Sequence, residues 1–461
     1  MFCQLETLRR CLPPSIRCTL EELPESLDET YERVLREIKK PNRDLAHRVL
    51  QCLVVAIRPV RVEELAEVLA VDFDDGEGTA KLNPGWRWED HEQALLSSCS
   101  SLISIVENIT VDSGPHSNGN VDSDGDNNKI QNRGSLIVQF SHFSVKEFLT
   151  SPRLASPSRD LSHYHIMLEH AHTIMAQACL GVLLRLDDGA EEKGSENGSP
   201  LATYAARHWV AYAQFQNVSS HVQIAMEHLF DPEKPYFVAW LRLYDMDALN
   251  HIPPFRYFVT SKESDGTPVY YAALCGFQGL VEHLIAKCPD NVKAIGGYYQ
   301  TAAVAALTGR HFELARLLHR NGSSLDPPGT GGQSPLYSAA NGGDLEMVQM
   351  LLDCKADLNS QNISGSTPLL TASNETHPQT LHVIRLLLEN GANPNAPAEN
   401  SVTPLHAASR NGSPDVARLL LEYGANVEAE DKEGNTAFQV ALMHGRREFT
   451  ELLSEHGAKG L

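Results

Sequence analysis

The sequence predicts a mainly α-helical chain that closes in an α-solenoid and opens on three helices followed by a β-hairpin. Three observations carry this reading. A Thr or Ser followed by Pro or Ala recurs at Thr267, Thr301, Ser334, Thr367, Thr403 and Thr436, at intervals of 34, 33, 33, 36 and 33 residues. A period this regular marks one supersecondary unit stacked on copies of itself. Upstream, apolar stripes at helical spacing are interrupted by two runs with strand character, Ser100–Asp112 and Leu136–Phe140.

The elements follow in order. Residues 19–40 read as an amphipathic helix. Thr19 and Glu22 have capping-box spacing, Ser26 offers a second cap, and Tyr31, Val34, Leu35 and Ile38 form the apolar stripe. A second helix runs from Arg43 to Ile57, with Leu45, Val49, Leu50, Leu53 and Val54 inward, and Arg58-Pro59-Val60-Arg61 breaks it. Helices at Val62–Val71 and Trp88–Ser101 precede the two strands, and a helix from His142 to Leu149 closes the unit. Three helices and a β-hairpin make a winged-helix arrangement, placed at 43–155. Its wing tip, 113–135, is rich in Gly, Asn, Asp and Ser and reads as a disordered insertion. Asp122, Asp124 and Asp126 begin like a calcium loop. The match fails, because Asn127 stands where the turn glycine belongs and Arg133 where the bidentate glutamate belongs.

Residues 156–250 read as a helical connector. Leu161–Leu186 is one long helical pattern, 187–199 an acidic, glycine-rich linker, and Leu201–Gln216, Ser219–Phe230 and Tyr236–Tyr244 are shorter helices.

The solenoid occupies 262–461. Five residues after each marker stands an alanine (Ala272, Ala306, Ala339, Ala372, Ala408 and Ala441), as needed where inner helices of neighbouring units approach closely. Leu284, Leu318, Leu351, Leu387, Leu420 and Leu453 fill the space between layers. The marker itself caps the first helix, with proline suited to the first helical position. Gly276, Gly309, Gly343, Gly412 and Gly445 mark the turn between helices, and Gly322, Gly391, Gly424 and Gly457 the end of the outer one. Cys288 and Lys355 replace that last glycine in the first and third copies, so the third junction is expected to cap differently. Three extra residues within Asn374–Thr380 should make the fourth turn bulge.

Composition narrows the function classes. With 38 Lys and Arg against 59 Asp and Glu the formal charge is −21, which argues against nucleic acid and anionic membranes as partners. The predicted groove-facing helix carries Glu89, Asp90, His91 and Glu92 and no arginine, the wrong chemistry for reading DNA. Nine cysteines without a Cys-x-x-Cys read as free thiols in a reducing compartment, and no apolar run is long enough to span a membrane. The expectation is a soluble, cytoplasmic protein without metal or cofactor. His163, His165, His170 and His172, placed on one predicted helix, lack the spacing that would chelate a metal. His142 between two serines has no nucleophile elbow around it and reads as a core and hydrogen-bonding residue at the start of the closing helix, so no catalytic residue is assigned.

Thr403-Pro404-Leu405-His406-Ala407-Ala408, Gly412, Leu419-Leu420-Leu421 and Gly424-Ala425-Asn426 resemble the ankyrin repeat, in six copies of which the second is the most degenerate. Leu23–Leu35, Arg58–Ala66, Phe140–Leu149 and Pro200–Trp209 resemble segments of fungal NLR-like (STAND) proteins: the exit from a NACHT domain (here 1–42), the winged helix named after an inositol deacylase, and the helical stretch before the repeats. No Gly-Lys dipeptide occurs, so the phosphate-cradling loop of NACHT proteins is missing, and the chain begins where that domain would end. The resemblance implies a non-enzymatic scaffold whose ankyrin array binds a protein. The alternatives are a fragment of an ATP-dependent STAND switch and a DNA-binding regulator. By position against the motif, the binding residues would be Tyr298, Tyr299, Gln300, Gln333, Asn341, Ser366, Asn374, Val402, Arg410, Asn411, Lys432, Glu433, Asn435, Met443 and His444. Tyr298 and Tyr299 are the expected anchors; the other reading is that they pack inward to support a degenerate repeat.

Overall fold

The computed structural model describes residues 26–73, 79–87, 90–108, 135–155, 161–186, 199–244, 246, 266–326 and 333–458. The Thr19 cap, the wing tip through Gly134 with its aspartates, Trp88 and Glu89, and the linker residues 187–198 lie outside them. The chain divides into two compact units, Met1–Tyr244 and Asp245–Leu461.

In the first unit, α1 (Leu27–Glu37) starts at the second of the two caps: Ser26 Oγ accepts from the Glu29 N–H at 3.2 Å. Its stripe of Tyr31, Val34 and Leu35 is buried, with the Tyr31 ring 5.4 Å from that of Phe148. Helix α2 (Arg43–Val55) buries Val49, Leu50, Leu53 and Val54 and ends two residues early, where Ala56 turns extended ahead of Arg58-Pro59. That break holds a short strand the sequence did not suggest, β1 (Val60–Arg61). Helix α3 (Val62–Leu69), the small hairpin β2 (Val71–Asp72) and β3 (Lys81–Leu82), and α4 (His91–Cys99) follow. Strands β4 (Ile103–Asn108) and β5 (Ser135–Phe140) pair antiparallel from Ile103↔Phe140 to Asn108↔Ser135, and β1 adds to β5 through Val60↔Val138, giving the order β1-β5-β4. Helices α5 (Ser144–Leu149) and α6 (Pro152–Ala155) end this part.

The pattern from Leu161 to Leu186 is not one helix. A 3-10 turn at Ser162–Tyr164 gives way to extended backbone, and the α-helix α7 begins only at Leu168, running to Leu183. The cause is a competing bond: the Ile166 N–H donates to the Leu149 carbonyl at 3.0 Å while Tyr164 and Ile166 are buried on either side of His165. The four histidines therefore do not share a helix. His163 lies in the 3-10 turn and His165 in the extended stretch, and His170 and His172 are on α7 (the His172 ring stacked 3.9 Å from Phe215). Among the described residues, no group of His, Cys, Asp and Glu could hold a metal ion.

Helix α7 packs against α2 and against α8 (Ala202–Ala213), with α9 (Val218–His221), α10 (Gln223–Leu229) and α11 (Tyr236–Leu243) completing the unit. Two buried glutamates tie the later helices to the earlier ones. Glu64 accepts from Arg58 at 2.6 and 2.9 Å and from the Arg61 side chain and N–H at 2.9 Å each. Burial alone would raise its carboxyl, and those bonds outweigh it and hold it below the ordinary value. The Arg58 guanidinium lies 4.5 Å from the centre of the Tyr204 ring on α8. Glu67 pairs with Arg87 and accepts from Ser199 Oγ at 2.6 Å and the Leu201 N–H at 2.8 Å, where α8 begins.

The second unit contains, among the described residues, six inner–outer helix pairs: α12 (Pro268–Cys275) with α13 (Gln278–Lys287), α14 (Ala302–Thr308) with α15 (Phe312–Arg320), α16 (Pro335–Gly342) with α17 (Leu345–Asp353), α18 (Pro368–Ser373) with α19 (Thr380–Glu389), α20 (Pro404–Asn411) with α21 (Pro414–Glu422), and α22 (Ala437–Met443) with α23 (Arg447–Glu455). Every periodic Thr or Ser is the cap of its inner helix, its hydroxyl facing the N–H three residues on. The six alanines are all 0% exposed, which is what lets inner helices pack this closely. The interlayer leucines are buried as well.

Two details correct the sequence reading. In the second pair the left-handed turn residue is Arg310 (φ 60°), while Gly309 is right-handed (φ −75°) and leaves room for the His311 ring. In the third pair Lys355 adopts φ 60° and caps like glycine: Lys355 N–H donates to Leu352 O and Ala356 N–H to Leu351 O, as Gly391 and Ala392 do one pair later. The Cys288 end does differ, passing into a 3-10 turn at Pro289–Lys293. The expected bulge is present, six residues (374–379) separating α18 from α19. Among the described residues, no helix is long and apolar enough to cross a membrane.

Candidate functional site

Among the described residues, four of the hairpins that precede inner helices form fingers closed by one recurring bond. A main-chain N–H donates to the carbonyl four residues later at Gly296–Gln300 (2.8 Å), Asn362–Ser366 (3.1 Å), Ala398–Val402 (2.9 Å) and Asp431–Asn435 (2.9 Å). A short side chain stiffens two of them. Asn362 Oδ1 accepts from the N–H groups of Ser364 and Ser366, and Asp431 Oδ1 from those of Glu433 and Asn435. Burial would raise the Asp431 carboxyl, but these bonds prevail and hold it below the ordinary carboxylate value. Adjacent fingers are bonded edge to edge, Glu399 N–H to Ser364 O at 2.9 Å and Lys432 N–H to Asn400 O at 2.8 Å. The result is a stiff ridge across the fourth, fifth and sixth pairs with side chains standing off it.

The residues named from the motif divide in two. Lys432, Glu433, Asn374, Arg410, Met443 and His444 are exposed. Gln333, Ser366, Val402, Asn411 and Asn435 are half-buried, as is Asn341, whose Oδ1 accepts from Thr371 Oγ1 at 3.1 Å across the stack. Tyr299 is not an anchor. It is 2% exposed, and its N–H donates to the Tyr270 hydroxyl at 3.1 Å, so it fills the space under a finger of the degenerate second pair. Tyr298 is half-buried with its ring edge-on to Tyr299 at 5.0 Å, and Gln300 is half-buried at φ 63°. The inward alternative therefore holds for Tyr299.

The sequence reading missed Ile363, 82% exposed at the tip of the fourth finger, and Glu399 at the equivalent place on the fifth. Both stand four residues before their capping threonine, as Lys432 does. Carrying that offset through every copy would have found them.

His142 makes hydrogen bonds at the start of α5, as expected, but it is exposed and not part of the core. Its Nδ1 faces the Ser144 N–H at 3.3 Å and the Ser144 hydroxyl at 2.7 Å, and that hydroxyl also meets the Tyr31 hydroxyl at 2.8 Å.

Residues 269–362, 302–398, 336–431 and 379–460 each match the family model for ankyrin repeats in three copies, so ankyrin repeats are present in this chain. The chain is also similar to azaphilone pigments biosynthesis cluster protein L of Monascus ruber, 29% identical over 315 residues that cover 66% of this chain and 61% of that protein. It thus matches about three-fifths of that relative's length.

Proposed function

We propose that this chain is a non-enzymatic scaffold whose six ankyrin repeats bind a protein along the ridge of fingers. The observation that carries this is the edge-to-edge bonding of the fourth, fifth and sixth fingers, which presents Ile363, Glu399, Lys432 and Glu433 on backbone that is already ordered. Ordered backbone lowers the entropy lost on binding, and an exposed aliphatic side chain beside charged ones suits a partner with an apolar anchor and a polar surround. Residues 43–155 are read as a winged helix, supported by the succession α2-β1-α3-α4-β4-β5 and the strand order β1-β5-β4. That succession agrees with the resemblance of these segments to the sensor end of NLR-like proteins, and a cytoplasmic location belongs to the same reading. Exposed Asp90 and Glu92 on the flank of α4 favour a protein over DNA. The likeness to a biosynthesis cluster protein favours, as a second reading, a partner among the proteins of such a cluster.

The test is capture of partners by the full chain from extracts of its own organism. Ile363→Asp combined with Lys432→Glu should abolish capture without lowering the melting temperature. Undiminished capture by that double variant would place the binding face elsewhere.

A further inference from the structure

Gly181 lies within α7, and a Cβ built on it would stand 2.5 Å from the Ala80 carbonyl oxygen. The missing side chain lets the chain at β3 lie directly on the helix. A cleft of about 380 Å³ opens beside this contact, a volume that suits a small organic molecule. Ala80, Leu82 and Leu184 give it an apolar wall, and Lys81, Arg185 and His228 a basic one. His228, from the last turn of α10, and Tyr236, at the start of α11, line it as well.

The charge of this cleft runs against that of the chain. The sequence carries 59 acidic residues against 38 Lys and Arg, yet among the described residues no Asp or Glu lines the cleft. Arg185 is held in place, because its Nη1 donates to the Leu82 carbonyl at 2.9 Å. It keeps Nε and Nη2, a fork that matches the two oxygens of a carboxylate. Among the described residues, neither Arg185 nor His228 is in an ion pair. Lys81 stands opposite Asp72 in the β2–β3 hairpin, so Arg185 and His228 are the cations that matter.

We infer that this cleft binds a small monocarboxylic acid with an apolar body. The carboxylate meets Arg185 and His228, and the body lies along Leu82 and Leu184. A charge-assisted bond gains strength where an apolar wall keeps water from it, so the two walls act together. Inorganic phosphate would use only the basic wall, and a neutral amphiphile only the apolar one. The site belongs to the first unit and does not depend on the finger ridge.

Calorimetric titration of the full chain with decanoate below its micellar range tests this, with decanol and inorganic phosphate as comparison probes. Saturable one-to-one binding of decanoate is expected, about tenfold or more tighter than either. Arg185→Gln should weaken it by about tenfold or more at an unchanged melting temperature. His228→Ala, which leaves the bond to Leu82 alone, should weaken it by about threefold or more. Arg207→Gln, at an exposed arginine of α8 outside the cleft, should bind as wild type. The proposal is overturned by no saturable binding, or by phosphate or decanol binding as tightly as decanoate. Wild-type affinity in both Arg185→Gln and His228→Ala would overturn it equally.

Discussion

The Nε2 of His406 lies 3.0 Å from the main-chain oxygen of Asn435, while its Nδ1 faces the Thr403 N–H at 3.3 Å and hydroxyl at 2.8 Å. One neutral imidazole thus completes the cap of α20 and holds the next finger. The partners assign the proton to Nε2. Burial keeps the ring's pKa below the ordinary histidine value. The unfolded chain therefore binds the proton more readily, so this contribution is intact above about pH 6.5 and is lost as the pH falls below it. The sixth pair fills the same position with Gln439, whose Oε1 accepts from the Thr436 N–H at 2.7 Å. His406→Gln should cost about 1 kcal/mol near neutral pH through the lost bond to Asn435 and should lose less stability than wild type on acidification, as denaturant melts at two pH values would show.

Lys355 sits at φ 60° where the equivalent residue in four other pairs is glycine. Its side chain is exposed, so little but backbone strain changes on replacement. Lys355→Gly should stabilise the array by about 1 kcal/mol, read as a rise in midpoint without a change in slope.

Ala408 is fully buried between inner helices. Ala408→Leu overpacks that contact and should cost about 1–3 kcal/mol. The loss should fall on neighbouring pairs, since a solenoid couples mainly to nearest neighbours. Hydrogen exchange resolves this, and equal loss of protection in α2 and α7 would contradict it.

Tyr299 and Ile363 should behave oppositely. Tyr299→Ala empties a buried site and should cost about 3–5 kcal/mol, with binding by the surviving folded protein intact. Ile363→Ala should leave the melting temperature unchanged and weaken partner binding. Paired melts and binding titrations distinguish the two.

The array is legible in the sequence because each repeat imposes the same few requirements at the same offsets. Thr403 must cap, Ala408 must be small and Leu420 must fill, whatever the ligand. The sequence leaves Tyr299 open between anchor and core, because burial of an aromatic under a degenerate finger depends on what the neighbouring pair, here Tyr270, leaves open. The break before α7 is hidden for a similar reason: a run of helix-compatible residues gives way to a single bond between Ile166 and Leu149 that only the folded chain can form. Strand β1 is two residues long and exists because β5 offers it an edge, a condition no local pattern records. Ile363 is within reach of the sequence, but a search for anchors among aromatics passes over it.

If the finger ridge is the binding face, site-specific photo-crosslinking in cells should reveal it. A photoreactive residue would be placed in turn at Ile363, Lys432 and, on the outer helix α21, the exposed Glu422. One shared adduct is expected from the two finger positions and none from Glu422. An adduct at Glu422 with none at Ile363 or Lys432 would contradict it.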